Sequence, residues 1–277
     1  MRAAHRRASR PGILRLGILR LGALALAASA GLSSIAMAQQ PDSAAPKEWP
    51  LHSMERPRPP VVTPAPAGAP VPPPSDAIVL LDGAGRARGL AEWEGAGGGP
   101  ARWTVHDGYV EVAPGTGSIR TKRAFGSVQL HVEWAVPTPP RGESQERGNS
   151  GVFLMSHYEV QILDSWHNDT YPDGWVAAIY GQTPPLVSAA RRPGEWQTYD
   201  IVFHRPLFAP DGRVLRPATI TVLHNGVLVQ DHTVITGWTE HDHRATYKPH
   251  PDRLPLVLQD HENPTRFRNV WVRELSE

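Results

Sequence analysis

The chain has 277 residues, with 28 Lys and Arg against 27 Asp and Glu, and no cysteine. Six of the bases and none of the acids lie in the first 38 residues, which leaves 22 bases against 27 acids beyond them. A remainder of that charge has no basic field to gather phosphates, so nucleic acid is not an expected partner. The missing cysteines rule out disulfides, thiolate metal sites, a cysteine nucleophile and a lipid-bearing cysteine.

Residues 1–38 read as an export signal. A basic stretch ending at Arg20 precedes the apolar run from Leu21 to Leu32, and Ala36-Met37-Ala38 supplies a small-x-small cleavage site. The alternative is an uncleaved anchor, since the uncharged run is nearly long enough to span a bilayer. Its Ala, Gly and Ser content and its cleavage motif favour removal, so the mature protein is expected to be exported, periplasmic or secreted, and free of the membrane. From 39 to 75 the composition changes, and 12 of the 29 prolines fall between Pro41 and Pro74. Proline lacks the amide donor that helices and ladders need, so this stretch reads as an extended, semi-rigid spacer.

Residues 76–277 carry short apolar runs punctuated by Asp82-Gly83, Asp107-Gly108, Asp173-Gly174, Asp211-Gly212 and Asn225-Gly226. In Val128–Ala135 the residues Val128, Leu130, Val132 and Trp134 share one face, and Gln129, His131 and Glu133 share the other. Tyr199–His204 and Phe267–Leu275 alternate in the same way. Two β-rich runs flank Asn225-Gly226 and form a hairpin signal. About a dozen short strands without a long helical period predict one all-β sandwich, with the two ends of the domain as neighbouring strands.

The densest polar cluster on a predicted strand is Tyr158–Asp164. Glu159 and Gln161 are two apart and face one side, while Asp164 joins them only through a bulge. A carboxylate–amide–carboxylate row suits sugar chemistry, where one group moves a proton and others hold hydroxyls; a solvated polar edge is the plain alternative. Upstream, the turn Gly148-Asn149-Ser150-Gly151 offers backbone amides and the Asn149 side chain to a ligand. A second cluster, Leu258 to Asn269, contains Gln259, His261, Arg266, Arg268 and Asn269. His261 supplies an imidazole that can act as general base or acid, and Arg266 and Arg268 alternate about Phe267 and so share a face suited to an oxyanion. His241-Asp242-His243 and His250 have metal-like spacing, but their neighbours read as a solvated loop. No cofactor motif is present; a divalent cation held partly by backbone oxygens stays open. Tyr180, Trp166, Trp175, Trp196, Trp238 and Tyr171 lie near predicted loops, where aromatic faces stack on sugars or pack in a core.

Taken in order, Leu80-Leu81-Asp82-Gly83, Trp103–Gly108, Gly148–Phe153, Tyr158–Ser165, Ala178-Ile179-Tyr180-Gly181, Pro193–Ile201, Val222–Val227, Leu258–His261 and Arg266–Trp271 resemble the 3-keto-disaccharide hydrolase domain family. The resemblance implies a concanavalin A-like jelly roll of two curved antiparallel sheets. It also implies cleavage of glycosides whose sugar is oxidised at C3, with an oligosaccharide or glycoside as the partner. Glu159, Gln161 and Asp164 repeat the i, i+2, i+5 spacing of the catalytic strand in laminarinase-like enzymes of that fold, with Gln161 in place of the central acid. The roles implied are His261 or Glu159 as base, Asp164 as supporting acid or orienter, and Gln161 and Arg268 as donors to an oxyanion or hydroxyls. Asn149, Tyr180, Gln259, Arg266 and Asn269 complete the expected substrate contacts. Glu262 stands where the family usually has Gly, and Trp238 where it usually has Pro. A non-catalytic carbohydrate-binding module and a conventional glycoside hydrolase are the competing readings.

Overall fold

A computed structural model describes residues 48–82 and 89–276; the expected export signal lies outside the described residues. Within them run β1 (Ile78–Leu81), β2 (Trp93–Gly95), β3 (Thr104–His106), β4 (Tyr109–Glu111), β5 (Ile119–Phe125), β6 (Val128–Ala135), β7 (Ser150–Leu154) and β8 (Tyr158–Ile162). They are followed by β9 (Gln197–His204), β10 (Leu207–Phe208), β11 (Val214–Arg216), β12 (Thr219–His224), β13 (Val227–Val234), β14 (Leu254–Leu258) and β15 (Arg266–Glu274). Among the described residues helix is confined to two short 3-10 turns, Ser144–Glu146 and Pro172–Gly174.

The larger sheet has the order β13-β12-β9-β6-β15-β4-β3, with β1 also on β15; the smaller is β2-β5-β14-β7-β8. Their ladders are antiparallel, as expected of a jelly-roll β-sandwich. The pairing of β1 with β15 joins the two ends of the domain. Asn225 and Gly226 both adopt positive φ between β12 and β13, the backbone a tight hairpin turn demands. Asp173-Gly174, read as a turn pair from the sequence, belongs instead to the second 3-10 turn and is fully buried.

The core lies between the two sheets and follows the alternation. Val128, Leu130, Val132 and Trp134 of β6, Tyr199, Ile201 and Phe203 of β9, and Tyr158, Val160 and Ile162 of β8 are buried in one cluster. Tyr199 crosses from one sheet to the other and donates its hydroxyl to the carbonyl of Gln161 at 2.6 Å.

The Pro-rich segment is extended, with neither helix nor strand over 48–75, but from Glu48 onward it does not hang as a spacer. Its carbonyls, with no proline amides to pair among themselves, are taken up by the domain. Ser188 N donates to Pro60 O at 2.8 Å, and Val62 N donates to Ser188 O at 2.9 Å. Arg191 Nη2 donates to Ala65 O at 2.9 Å, and Asn269 Nδ2 to Val71 O at 2.7 Å.

Candidate active site

The β7–β8 hairpin ends the smaller sheet. With Tyr158, Val160 and Ile162 committed to the core, Glu159 and Gln161 point to the opposite, outer face. Gly151 pairs with Gln161, and Phe153 with Glu159. A Cβ placed on Gly151 would overlap Oε1 of Glu159, so the missing side chain makes the hollow that holds the carboxyl. The outer edge of β8 is capped by loop backbone: Gln161 N donates to Ala178 O at 3.0 Å, Tyr180 N to Glu159 O at 3.3 Å, and Glu159 N to Thr239 Oγ1 at 3.0 Å. This edge therefore offers no free ladder, and the loops at 171–183 and 237–241 roof the strand.

Beneath them is a cleft of about 180 Å³. It brings together six of the residues expected from the sequence: Asn149, Glu159, Gln161, Tyr180, Gln259 and His261. Glu159 is only 4% exposed, and burial pushes its carboxyl up to about 8, so it is protonated at neutral pH. Among the described residues no Lys or Arg pairs with it. The Gln161 amide lies 2.9 Å from the Gln145 amide; with its NH2 turned inward it donates to Ser150 O at 2.9 Å and to Glu159 Oε1 at 3.2 Å. Tyr180 and Tyr171 share a hydroxyl–hydroxyl bond of 2.8 Å, and burial raises both phenols above their usual range. Asn149 is held by the donation of its Nδ2 to Gln145 O at 2.6 Å. Gln259 Oε1 is buried without a hydrogen-bond partner. His261 is exposed at the mouth.

Asp164 does not join this row. β8 stops at Ile162 and no bulge follows, so Asp164 turns away, accepts from Arg147 Nε at 2.7 Å and from Trp166 N at 3.1 Å, and lines a separate trough of about 760 Å³. Its carboxyl is raised by burial, against the opposing pull of Trp166 N–H and Arg147. His261 lines both cavities, and the Gly148-Asn149 turn divides them, Gly148 facing the trough and Asn149 the cleft.

Arg266, Arg268 and Asn269 are also elsewhere, on the outer face of the larger sheet. A bulge in β15 between Arg268 and Trp271, with Asn269 at φ +47°, interrupts the alternation. Arg268 Nε donates to Glu133 Oε2 at 2.7 Å and its guanidinium lies 4.1 Å from the Trp196 ring centroid. Asn269 Nδ2 reaches Glu133 Oε1 at 2.8 Å, and Arg266 Nη2 donates to Gly194 O at 3.0 Å. These side chains hold the sheet face and the Pro-rich segment together, and none lines the cleft.

Four residues that line the cleft were not expected there: Phe153, Thr239, Glu240 and His241. The last three belong to a loop pinned by Trp238, whose ring stacks on His157 with centroids 3.7 Å apart and lies under Lys248 Nζ at 4.8 Å. Of the histidines read as a metal-like patch, His243 bonds its exposed neighbour Asp242, and His250 bonds the Tyr158 hydroxyl at 2.7 Å. Among the described residues no group of three or more His, Asp or Glu converges to suit a metal ion. Glu262 has φ +60°, the left-handed backbone that glycine adopts without cost.

A family model for the 3-keto-alpha-glucoside-1,2-lyase-like domain matches residues 76–273. A putative glycosyl hydrolase of Parabacteroides distasonis is 47% identical over 79% of this chain and 93% of its own, with a TM-score of 0.71. A second structure of that description from the same organism is 21% identical, covers 72% of this chain and 99% of its own, and shares the fold with a TM-score of 0.50. No curated protein matches the chain. With the family match spanning nearly all of the sandwich, and the cleft formed by the strand and turns that carry the resemblance, the chain belongs to the 3-keto-alpha-glucoside-1,2-lyase-like domain family.

Proposed function

We propose that this protein cleaves glycosides whose sugar ring carries a ketone at C3, by eliminating the C1 substituent after removal of the C2 proton. The observation that carries this reading is the buried Glu159 carboxyl in a small cleft, with the Gln161 amide beside it and His261 at the mouth. A ketone at C3 acidifies the C2 hydrogen, so a base and enolate donors suffice for the first step, with no second carboxylate as nucleophile.

His261 takes the C2 proton, and the electron pair moves to the C3 oxygen. Tyr180 is the donor to that oxygen, and the Gln161 amide holds the Glu159 carboxyl in place. The pair then returns to form C1=C2 as the C1–O bond breaks, and Glu159 gives its proton to the departing oxygen. Water added across C1=C2 completes net hydrolysis. The sequence makes Glu159 a candidate base and Asp164 a supporting acid or orienter; the buried carboxyl of Glu159 suits the acid role instead. Gln259 Oε1 is an acceptor for a ring hydroxyl.

The cleft is smaller than the roughly 300 Å³ at which drug-sized pockets begin, so it suits one sugar ring. The trough beyond His261 then receives the leaving group. The exported location expected from residues 1–38 is part of the proposal, and cell fractionation tests it.

The decisive experiment incubates the purified protein with chromogenic 3-keto-glucosides of both anomers beside their unoxidised parents. Release from the keto sugar alone is expected. Release from neither, with and without added divalent metal, would replace this reading by a glycan-binding module, and release from both would indicate a conventional glycosidase.

A further inference from the structure

The matched domain begins at residue 76, yet the segment before it reaches the roof of the cleft. Arg56 Nη1 donates to Gln182 O at 3.2 Å. The side chain of Leu51 packs against Gly181, where a Cβ would meet Leu51 Cδ1 at 3.1 Å. Arg244 completes the grip from the other side, donating to Trp49 O at 2.8 Å and to Gly181 O at 3.1 Å. The Tyr180-Gly181 turn is thus clasped by residues 49–56.

His52 sits at the centre of this clasp. Its N–H donates to Asp173 Oδ2 at 3.2 Å, and Asp173 is completely buried, with Arg56 at 3.9 Å and Arg244 at 4.0 Å from the same oxygen. The Asp173 carbonyl accepts from Gly181 N at 2.8 Å, so one residue ties both His52 and the Tyr180 turn. The imidazole of His52 stacks on Tyr171 with centroids 4.1 Å apart. It meets Tyr180 edge-on at 5.4 Å and His241 edge-on at 5.3 Å. Tyr180 and His241 both line the Glu159 cleft. His52 holds a left-handed backbone at φ +57°, a region that histidine enters more readily than most side chains.

We propose that His52 is a positioning residue of the active site, supplied from outside the family domain, whose ring fixes Tyr180 and His241 against the Glu159 cleft. The role of Tyr180 as enolate donor rests on the proposed elimination, but the clasp on the Tyr180 turn does not. The ring acts by its shape, so phenylalanine should substitute for it.

The test compares the full chain with His52→Ala, His52→Phe and Arg58→Ala. Arg58, on the same segment as His52, pairs with the exposed Asp169 of the sandwich domain and is the control. His52→Ala should lower kcat on a 3-keto-glucoside by about tenfold to a hundredfold, the cost of misplacing a catalytic group. His52→Phe should restore most of it, and Arg58→Ala should match the parent. In parallel, hydrogen exchange at the amides of Tyr180 and Gly181 should quicken in His52→Ala and not in His52→Phe.

Full kcat and unchanged exchange in His52→Ala would overturn the proposal. Equal loss in the Ala and Phe variants with unchanged exchange would also overturn it, because the imidazole would then act chemically. If the parent cleaves no 3-keto sugar, the proposed function fails while exchange still decides the placement. Should His52→Ala not fold, Arg56→Ala loosens the same clasp at Gln182, and unaltered exchange at Tyr180 in that variant overturns the inference.

Discussion

The carboxyl of Glu159 occupies the space that a side chain on Gly151 would fill. The two residues sit on paired strands, and Gly151 O also accepts from Gln259 N at 3.0 Å, so the backbone there cannot shift freely. Gly151→Ala should therefore push Glu159 out of its hollow instead of being absorbed. The expected overpacking cost is about 1–3 kcal/mol, which lowers Tm by roughly 2–12 °C in a domain of this size. Turnover of a 3-keto-glucoside should fall about a hundredfold. Thermal melts and kcat measured on one preparation check both outcomes, and a variant of parental activity would contradict the geometry.

Burial holds the Glu159 proton to a pH of about 8, whereas an exposed glutamate releases it near 4.5. Between those values the folded protein keeps a proton that the unfolded chain has lost. Glu159 therefore subtracts stability as pH rises through this window, with a slope of about 1.4 kcal/mol per pH unit. Glu159→Gln, which stays neutral, should be no more stable than the parent near pH 4.5 and progressively more stable up to pH 8. Its activity should fall by about 10²–10⁴, the usual share of a general acid. The kcat/KM of the parent should decline above about pH 8 as the acid ionises. Urea unfolding across that range, with the two proteins compared at each pH, isolates the contribution.

The period-two reading of 158–164 placed Glu159 and Gln161 correctly because alternation is local and the core residues Tyr158, Val160 and Ile162 fix the register. Asn149, Tyr180, Gln259 and His261 followed from the motifs that flank that strand and from the family they resemble. What alternation does not encode is which sheet a strand joins. Arg266 and Arg268 do share a face, as their spacing requires, but β15 lies in the larger sheet, where that face meets Trp196 and Glu133. The β15 bulge and the hollow at Gly151 likewise depend on partners distant in the chain. Pro-rich composition correctly excludes helix and ladder from the segment before 76, yet it is silent on who accepts or donates to its backbone. The packing of His52 against Tyr171, Tyr180 and His241 was hidden for that reason.

On the outer face of the larger sheet, buried His131, Glu133 and Asn269 form one network with the partly exposed Asp200 and Arg268. Burial opposes the charge on His131, but bonds to Asp200 at 2.7 Å and to Glu133 outweigh it and raise the imidazole to about 9. Burial likewise opposes the charge on Glu133, and His131, Asn269 and Arg268 together hold it down at about 2. The stabilisation from His131 is complete below its unfolded value of about 6.5 and is lost as pH rises through 9. His131→Asn should remove that pH dependence. Arg268→Ala should cost about 1.5–3 kcal/mol, the range for a hydrogen bond to a charged group, and leave kcat/KM within about twofold of the parent. A large loss of turnover in a well-folded Arg268→Ala protein would return this residue to the site.

Glu262 holds φ +60° in the loop that carries His261, between the cleft and the trough. Glu262→Gly relieves the left-handed backbone but frees the unfolded chain, so the two effects oppose and Tm should change little. The trough gives a sharper contrast. Arg141 lines it and lies away from the cleft. If the leaving group rests there, Arg141→Ala should raise KM severalfold for a 3-keto-disaccharide and leave KM for a 3-keto methyl glucoside unchanged, because a methyl group does not reach past His261. Both substrates should keep their kcat, since Arg141 touches neither C1 nor C2 of the ring held in the cleft. Equal effects on the two substrates would mean that the leaving group departs through the cleft mouth and that the trough serves another purpose.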